Sequence, residues 1–147
     1  MTRINLVPPE ELMDQHLFAE FREIKMVPKS LARSLVASAK RGENYYQFWQ
    51  RIPKAYTLNT GHVSFFYDKG NYLRHRYADL RMELRARGVK FDETSPLDPD
   101  CVFDGLDHNF NNWYEPTPEA LAIVRARIAE KIAMKPSWYR YKGVPLK

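Results

Sequence analysis

The stretch "PPEELMDQHLFAEFREI" (residues 8–24) decides the fold. Two prolines open it, and the acids Glu10 and Glu11 behind them suit the positive end of a helix. Met13, Leu17, Phe21 and Ile24 then recur at helical spacing, which places them on one stripe facing a core. The spacing predicts one helix running from the prolines to Ile24.

The same grammar recurs downstream. A second helix is expected from about Ser30 to Arg41, with Ser30 as cap, Leu31, Leu35 and Ala39 inward, and Gly42 closing it. A third runs from about Asn71 to Arg87, turning Leu73, Tyr77, Leu80 and Leu84 inward and ending at Gly88. A fourth opens at Thr117-Pro118-Glu119, a cap, a proline in the first turn and an acid. It buries Leu121, Val124, Ile128 and Ile132 and stops before Pro136. Between these, 43–60 is aromatic and irregular, 61–67 adds a short helix, and 92–116 is a long loop. Strand signals are weak, and repeats and linkers are absent. The expected fold is mainly α: a single compact helical domain over residues 1–147 with long irregular loops.

Composition narrows the setting. No apolar run approaches the ~20 residues that span a bilayer, so no membrane is expected. The start lacks a basic segment followed by an apolar one, so no signal peptide is read. A lone cysteine, Cys101, excludes an internal disulfide framework and a cysteine-cluster metal site. Both points fit a cytoplasmic protein, associated with a nucleoid or the interior of a host cell. The chain is expected to act as a monomer.

Charge is segregated. Residues 92–119 hold eight acids and no lysine or arginine, while the other 119 residues carry 23 basic against 10 acidic side chains. Such a split builds a strongly positive face, and a polyanion is its natural partner. A basic protein without such a partner is the plainer alternative.

On the first helix, Gln15, His16, Ala19, Arg22 and Glu23 share the side opposite the core stripe. Glu23 beside Arg22 reads most simply as a solvated pair worth little. His16 reads as a structural histidine, because no second histidine stands at metal-ligand spacing. No metal and no cofactor is expected.

Geometry gives the start of the chain more interest. From Pro9 to Glu23 is about 21 Å along a helix at about 1.5 Å per residue. From Thr2 to Pro9 is up to ~25 Å of extended chain. An arm that doubles back along the helix would bring Thr2 to Glu23. An α-amine has a pKa of about 7.7–8.0, so a useful fraction is neutral near pH 7. A neutral amine attacks carbon and forms an imine at a sugar C1′, in the manner of a Schiff-base lysine. This chemistry needs Met1 removed, and a small residue such as Thr2 permits that.

At the other end, Arg127 and Lys131 stand at i, i+4 away from the core stripe, placed to follow phosphates. Beyond them "KPSWYRYKG" (135–143) interleaves Trp138, Tyr139 and Tyr141 with Lys135, Arg140 and Lys142. Aromatics there supply stacking or wedge surface and the cations supply phosphate affinity. Packing of the aromatics on the body is the competing reading.

Five blocks occur in one order: "MTRINL" (1–6), "DQHLFAEFRE" (14–23), "GHVSFFYDK" (61–69), "ARIAEKIA" (126–133) and "PSWYRYKG" (136–143). Together they closely resemble the pyrimidine-dimer DNA glycosylase family, of the phage endonuclease V type. The resemblance implies a mostly helical domain that excises ultraviolet photoproducts from double-stranded damaged DNA and then nicks the strand. It implies Thr2 as the amine nucleophile, Glu23 as the acid/base, and Arg3, Gln15, His16 and Arg22 as residues lining the site. It also implies Arg127 and Lys131 as phosphate contacts, no metal, and extrusion of the nucleotide opposite the lesion. Two positions depart from the phage enzyme. Phe21 replaces a tyrosine, and Met26 replaces an arginine that Lys25 next door compensates. Two other functions share these features: an AP lyase or glycosylase for other lesions, and a non-catalytic DNA-binding module.

Overall fold

The computed structural model describes residues 3–145. An arm over residues 3–7 leads into a 3-10 turn, Pro9–Glu11, and then α1, Asp14–Glu23. The chain continues through α2 (Met26–Lys40), α3 (Tyr45–Gln50), α4 (His62–Phe65) and α5 (Gly70–Ala86). A long loop precedes α6 (Pro118–Met134), and a two-residue hairpin, β1 (Arg140–Tyr141) with antiparallel β2 (Val144–Pro145), follows it. The fold is mostly helical, as expected. No described helix is long and apolar enough to cross a membrane.

The core lies where α1 packs on α5. Leu17, Phe21 and Ile24 meet Leu73, Tyr77, Leu80 and Leu84, all buried. Phe21 stacks flat on Tyr77 with ring centroids 5.3 Å apart.

The expected first helix is two pieces. Leu12 and Met13 are extended, with ψ of 141° and 156°. The break drives Leu12 fully into the core and leaves Met13 only half-buried. α2 starts at Met26, four residues before the expected cap, with Pro28 in the first turn, where a missing N–H costs nothing. Ser30 instead hydrogen-bonds the Tyr67 hydroxyl at 2.6 Å. Ser38, not Ala39, is the buried residue of the last turn, and its hydroxyl donates to Glu43 at 2.8 Å. Within the stretch read as irregular, Asn44 and Gln47 form a reciprocal capping box that starts α3.

The third and fourth expected helices hold to within a residue at their starts. Thr117 caps α6 by accepting from Ala120 N at 3.0 Å, with Pro118 behind it. The acidic segment is a loop, but one with its own anchors: Leu97, Phe103 and Phe110 are buried. A side chain at Gly70 would place its Cβ 2.3 Å from Asn111 Oδ1, so glycine there lets the loop close onto the start of α5.

Candidate active site

The arm doubles back along α1, and buried polar groups from four parts of the chain hold it. Asn5 N donates to Glu20 Oε1 on α1 at 3.1 Å. Ile4 N donates to His62 Nε2 on α4 at 2.9 Å, and the Tyr56 hydroxyl donates to Ile4 O at 2.9 Å. Arg76 on α5 donates to Val7 O at 2.6 Å and makes a two-pronged pair with Glu20 at 2.6 and 2.9 Å. Held from both sides, Leu6 sustains a left-handed backbone with φ of 61°.

This path carries Arg3 into the wall of a cleft of about 210 Å³. α1 supplies His16, Ala19, Glu20 and Glu23, and α6 supplies Val124, Arg127, Ile128 and Lys131. Asn5, Leu58 and Tyr139 complete it. Leu58 also fixes Arg3, whose Nη1 donates to the Leu58 carbonyl at 2.8 Å. Ala19 leaves the floor open between the charged groups.

Glu23 occupies the last turn of α1, at the elbow into α2. Burial pushes its carboxyl above the usual carboxylate range and the like charge of Glu20 adds to this, against the pull of Arg22 and Arg3. Its Oε2 is buried and accepts no hydrogen bond from the described residues. A carboxyl raised in this way holds a proton more readily than a solvated one. Around it stand the cations Arg3, Arg127 and Lys131. Of the two carboxylates present, Glu20 is already committed to Arg76. The mouth is therefore positive, which suits an anionic ligand.

His16 lies with its ring 4.7 Å from that of Tyr139, tilted by 33°. Burial, reinforced by Lys131, holds it below the usual histidine pKa, so it is neutral at pH 7. Its Nδ1 is buried without a partner among the described residues. Among those residues, no cluster of three or more His, Cys, Asp or Glu side chains is arranged to hold a metal.

The expected site residues thus separate. Arg3, His16, Glu23, Arg127, Lys131 and Tyr139 meet in the cleft. Gln15 lies beside it and pins the C-terminal segment: its amide donates to Trp138 O at 2.6 Å and accepts from Arg140 N at 3.0 Å. Trp138 is exposed next to the cleft, edge-on to Tyr139 at 5.0 Å. Arg140 is exposed. Tyr141 instead packs: its hydroxyl donates to Glu10 O at 2.6 Å and its ring lies under the Arg87 guanidinium at 4.7 Å. Arg22 is exposed over the Phe18 ring. Lys25 stands apart, over Phe21 at 4.4 Å with its ammonium donating to Ser95 at 2.8 Å. Thr2 lies outside the described residues.

Sequence reading missed Glu20, Arg76 and His62. Each left a signal, a polar residue at a position its neighbours mark as buried. Glu20 falls among Leu17, Phe21 and Ile24, Arg76 among Leu73, Tyr77 and Leu80, and His62 just before Phe65 and Phe66.

A family model described as pyrimidine dimer DNA glycosylase matches residues 1–97, which take in the arm and α1 through α5. The matched span includes seven of the twelve residues that line the cleft, Arg3, His16, Glu20 and Glu23 among them, while α6 and the hairpin follow it. By that match over 97 of its 147 residues, the chain belongs to the pyrimidine dimer DNA glycosylase family, which makes it a DNA-repair glycosylase.

Proposed function

We propose that the protein is a bifunctional glycosylase and AP lyase for pyrimidine dimers in double-stranded DNA, with the α-amine of Thr2 as nucleophile and Glu23 as acid/base. One observation carries this reading. Arg3, the chain neighbour of Thr2, and the half-buried Glu23 line one cleft, opposite Arg127 and Lys131. The amine lone pair bonds to the sugar C1′ as the bond from C1′ to the base breaks, and the base leaves with the bonding electrons. Opening of the sugar ring leaves a protonated imine, whose charge the Glu23 carboxylate stabilises. Glu23 then takes the C2′ proton, the C3′–O bond breaks, and the strand is cut 3′ to the lesion. Arg127 and Lys131 hold flanking phosphates, and the exposed Trp138 meets the opened stack.

Borohydride trapping on a dimer-containing duplex tests the reading. A covalent adduct is expected from protein processed to Thr2 and none from protein whose N-terminus is blocked. An adduct that survives blocking removes the amine from its role. The Glu23→Gln variant should bind the duplex as the wild type does and cleave it ~10²–10⁴-fold more slowly. Turnover comparable to wild type would release Glu23 from the mechanism.

A further inference from the structure

The imidazole of His62 makes two contacts that only one of its states allows. Nε2 accepts the Ile4 N–H at 2.9 Å, so that nitrogen carries no proton. Nδ1 lies 2.8 Å from the Thr57 carbonyl and must therefore donate to it. The ring is neutral, with its proton on Nδ1. An imidazolium would turn an N–H against the Ile4 N–H and break the contact.

The surroundings favour that state. The ring is 3% exposed and packs edge-on against Tyr56 and Phe66, with centroids 5.3 and 5.6 Å away. Burial pushes the imidazole below its usual pKa. The Thr57 carbonyl opposes this, Arg3 on the arm adds to it and Glu20 on α1 opposes it. Tyr56 in turn donates to Ile4 O. Both backbone groups of Ile4, two residues after Thr2, are thus fixed by side chains from outside the arm.

We propose that His62 is a positioning residue for the amine chemistry: its neutral ring clamps Ile4 N and so sets the direction in which the chain leaves Ile4 for the cleft. This rests on the reading that the Thr2 amine attacks the sugar. It gives a reason for a buried histidine at the start of α4, where an apolar side chain could not accept from Ile4.

Wild type, His62→Leu and His62→Gln are compared by single-turnover borohydride trapping, duplex binding and urea denaturation. Leucine fills much of the space without an acceptor, while the glutamine amide oxygen can reach the place of Nε2 and loses the Thr57 contact. His62→Leu is expected to trap ~100-fold more slowly, since small misplacements of a reacting group cost about that much. Duplex binding should stay within about twofold of wild type, because the interaction lost acts on the reacting geometry and not on uniform binding. His62→Gln should recover at least about tenfold of the trapping rate although its urea midpoint falls as His62→Leu does. Equal trapping by the two variants, or rates that follow the urea midpoints, would overturn the assignment. If His62→Leu does not fold, His62→Gln decides alone: a lowered midpoint with a near-wild-type rate supports the clamp, and a rate lost in proportion overturns it. A wild type that yields no adduct brings down the amine reading and the clamp together. Trapping that is unchanged in His62→Leu brings down the clamp only.

Discussion

Residues 3–7 and residues 138–145 both dock beside α1, one at each side of the cleft, and they are held by different means. The arm is locked from within. Ile4 is fully buried, and Glu20 and Arg76, the pair it leans on, are 1% and 5% exposed. The hairpin is tied from the surface. Its backbone N–H groups at Lys142 and Gly143 donate to Asp14 at 2.9 and 2.7 Å, and Arg140 N donates to Gln15, all in exposed positions. Only Tyr139 of its aromatics is buried. A buried polar anchor fixes direction because nothing can replace it, whereas solvated hydrogen bonds exchange with water at small net cost. The arm is therefore fixed by anchors that water cannot replace, and the hairpin by contacts that water can exchange.

The sharpest way to break this contrast is Arg76→Met. It strips the partner from a Glu20 side chain with no exposed surface. Unfolding in urea should show a loss of ~3–5 kcal/mol, the usual cost of leaving one buried charge alone. The double variant Glu20→Gln/Arg76→Met should recover part of it. A loss of only about 1 kcal/mol would make the arm's anchor no stronger than a surface pair.

Asp14→Asn attacks the hairpin, and a smaller loss of ~1–3 kcal/mol is expected. Arg87 keeps Glu83 as partner at 2.8 Å, which limits the damage. The effect should also depend on pH. Burial raises the Asp14 pKa, but hydrogen bonds from Gly143, Arg87 and Lys142 outweigh it and hold the carboxyl below its ordinary value of 3.8. A depressed native pKa contributes stability that is whole above the unfolded pKa and is lost as pH falls through the folded one. The stability gap between wild type and Asp14→Asn should therefore be constant from neutral pH down to about pH 4 and close below it. A gap that closes near pH 6 would assign it to a histidine instead.

The smallest stability effect is expected of Lys131→Ala, within about 0.5 kcal/mol. Its readout is binding: the slope of log Kd against log salt should fall by about one. An unchanged slope would place Lys131 off the phosphates and leave Arg127 and the hairpin as the contact surface.

Much of the fold was legible because helices announce themselves locally. The stripe Leu73, Tyr77, Leu80, Leu84 and the cap at Thr117 need no distant partner to be recognised. The errors fell where a distant partner decides. Leu12 leaves helical geometry to enter the core, and Ser30 gives up its capping place to Tyr67. At the site, Glu23, His16, Arg127 and Lys131 were readable as polar residues on the outer faces of amphipathic helices. Tyr141 was not separable from Trp138, because the tail's alternation of aromatics and cations does not reveal which ring Arg87 covers.

By itself, then, the sequence determined most of the helices, the basic C-terminal segment and the blocks that resemble a repair glycosylase, since each of these rests on residues a few positions apart. Only the tertiary structure decided that the arm turns back on α1, that Glu20, Arg76 and His62 hold it, and that Glu23 is half-buried. Those depend on groups more than fifty residues apart for Ile4–His62 and Glu20–Arg76. A carboxylate, a guanidinium and an imidazole have no fixed protonation or strength until the fold sets how much water each keeps.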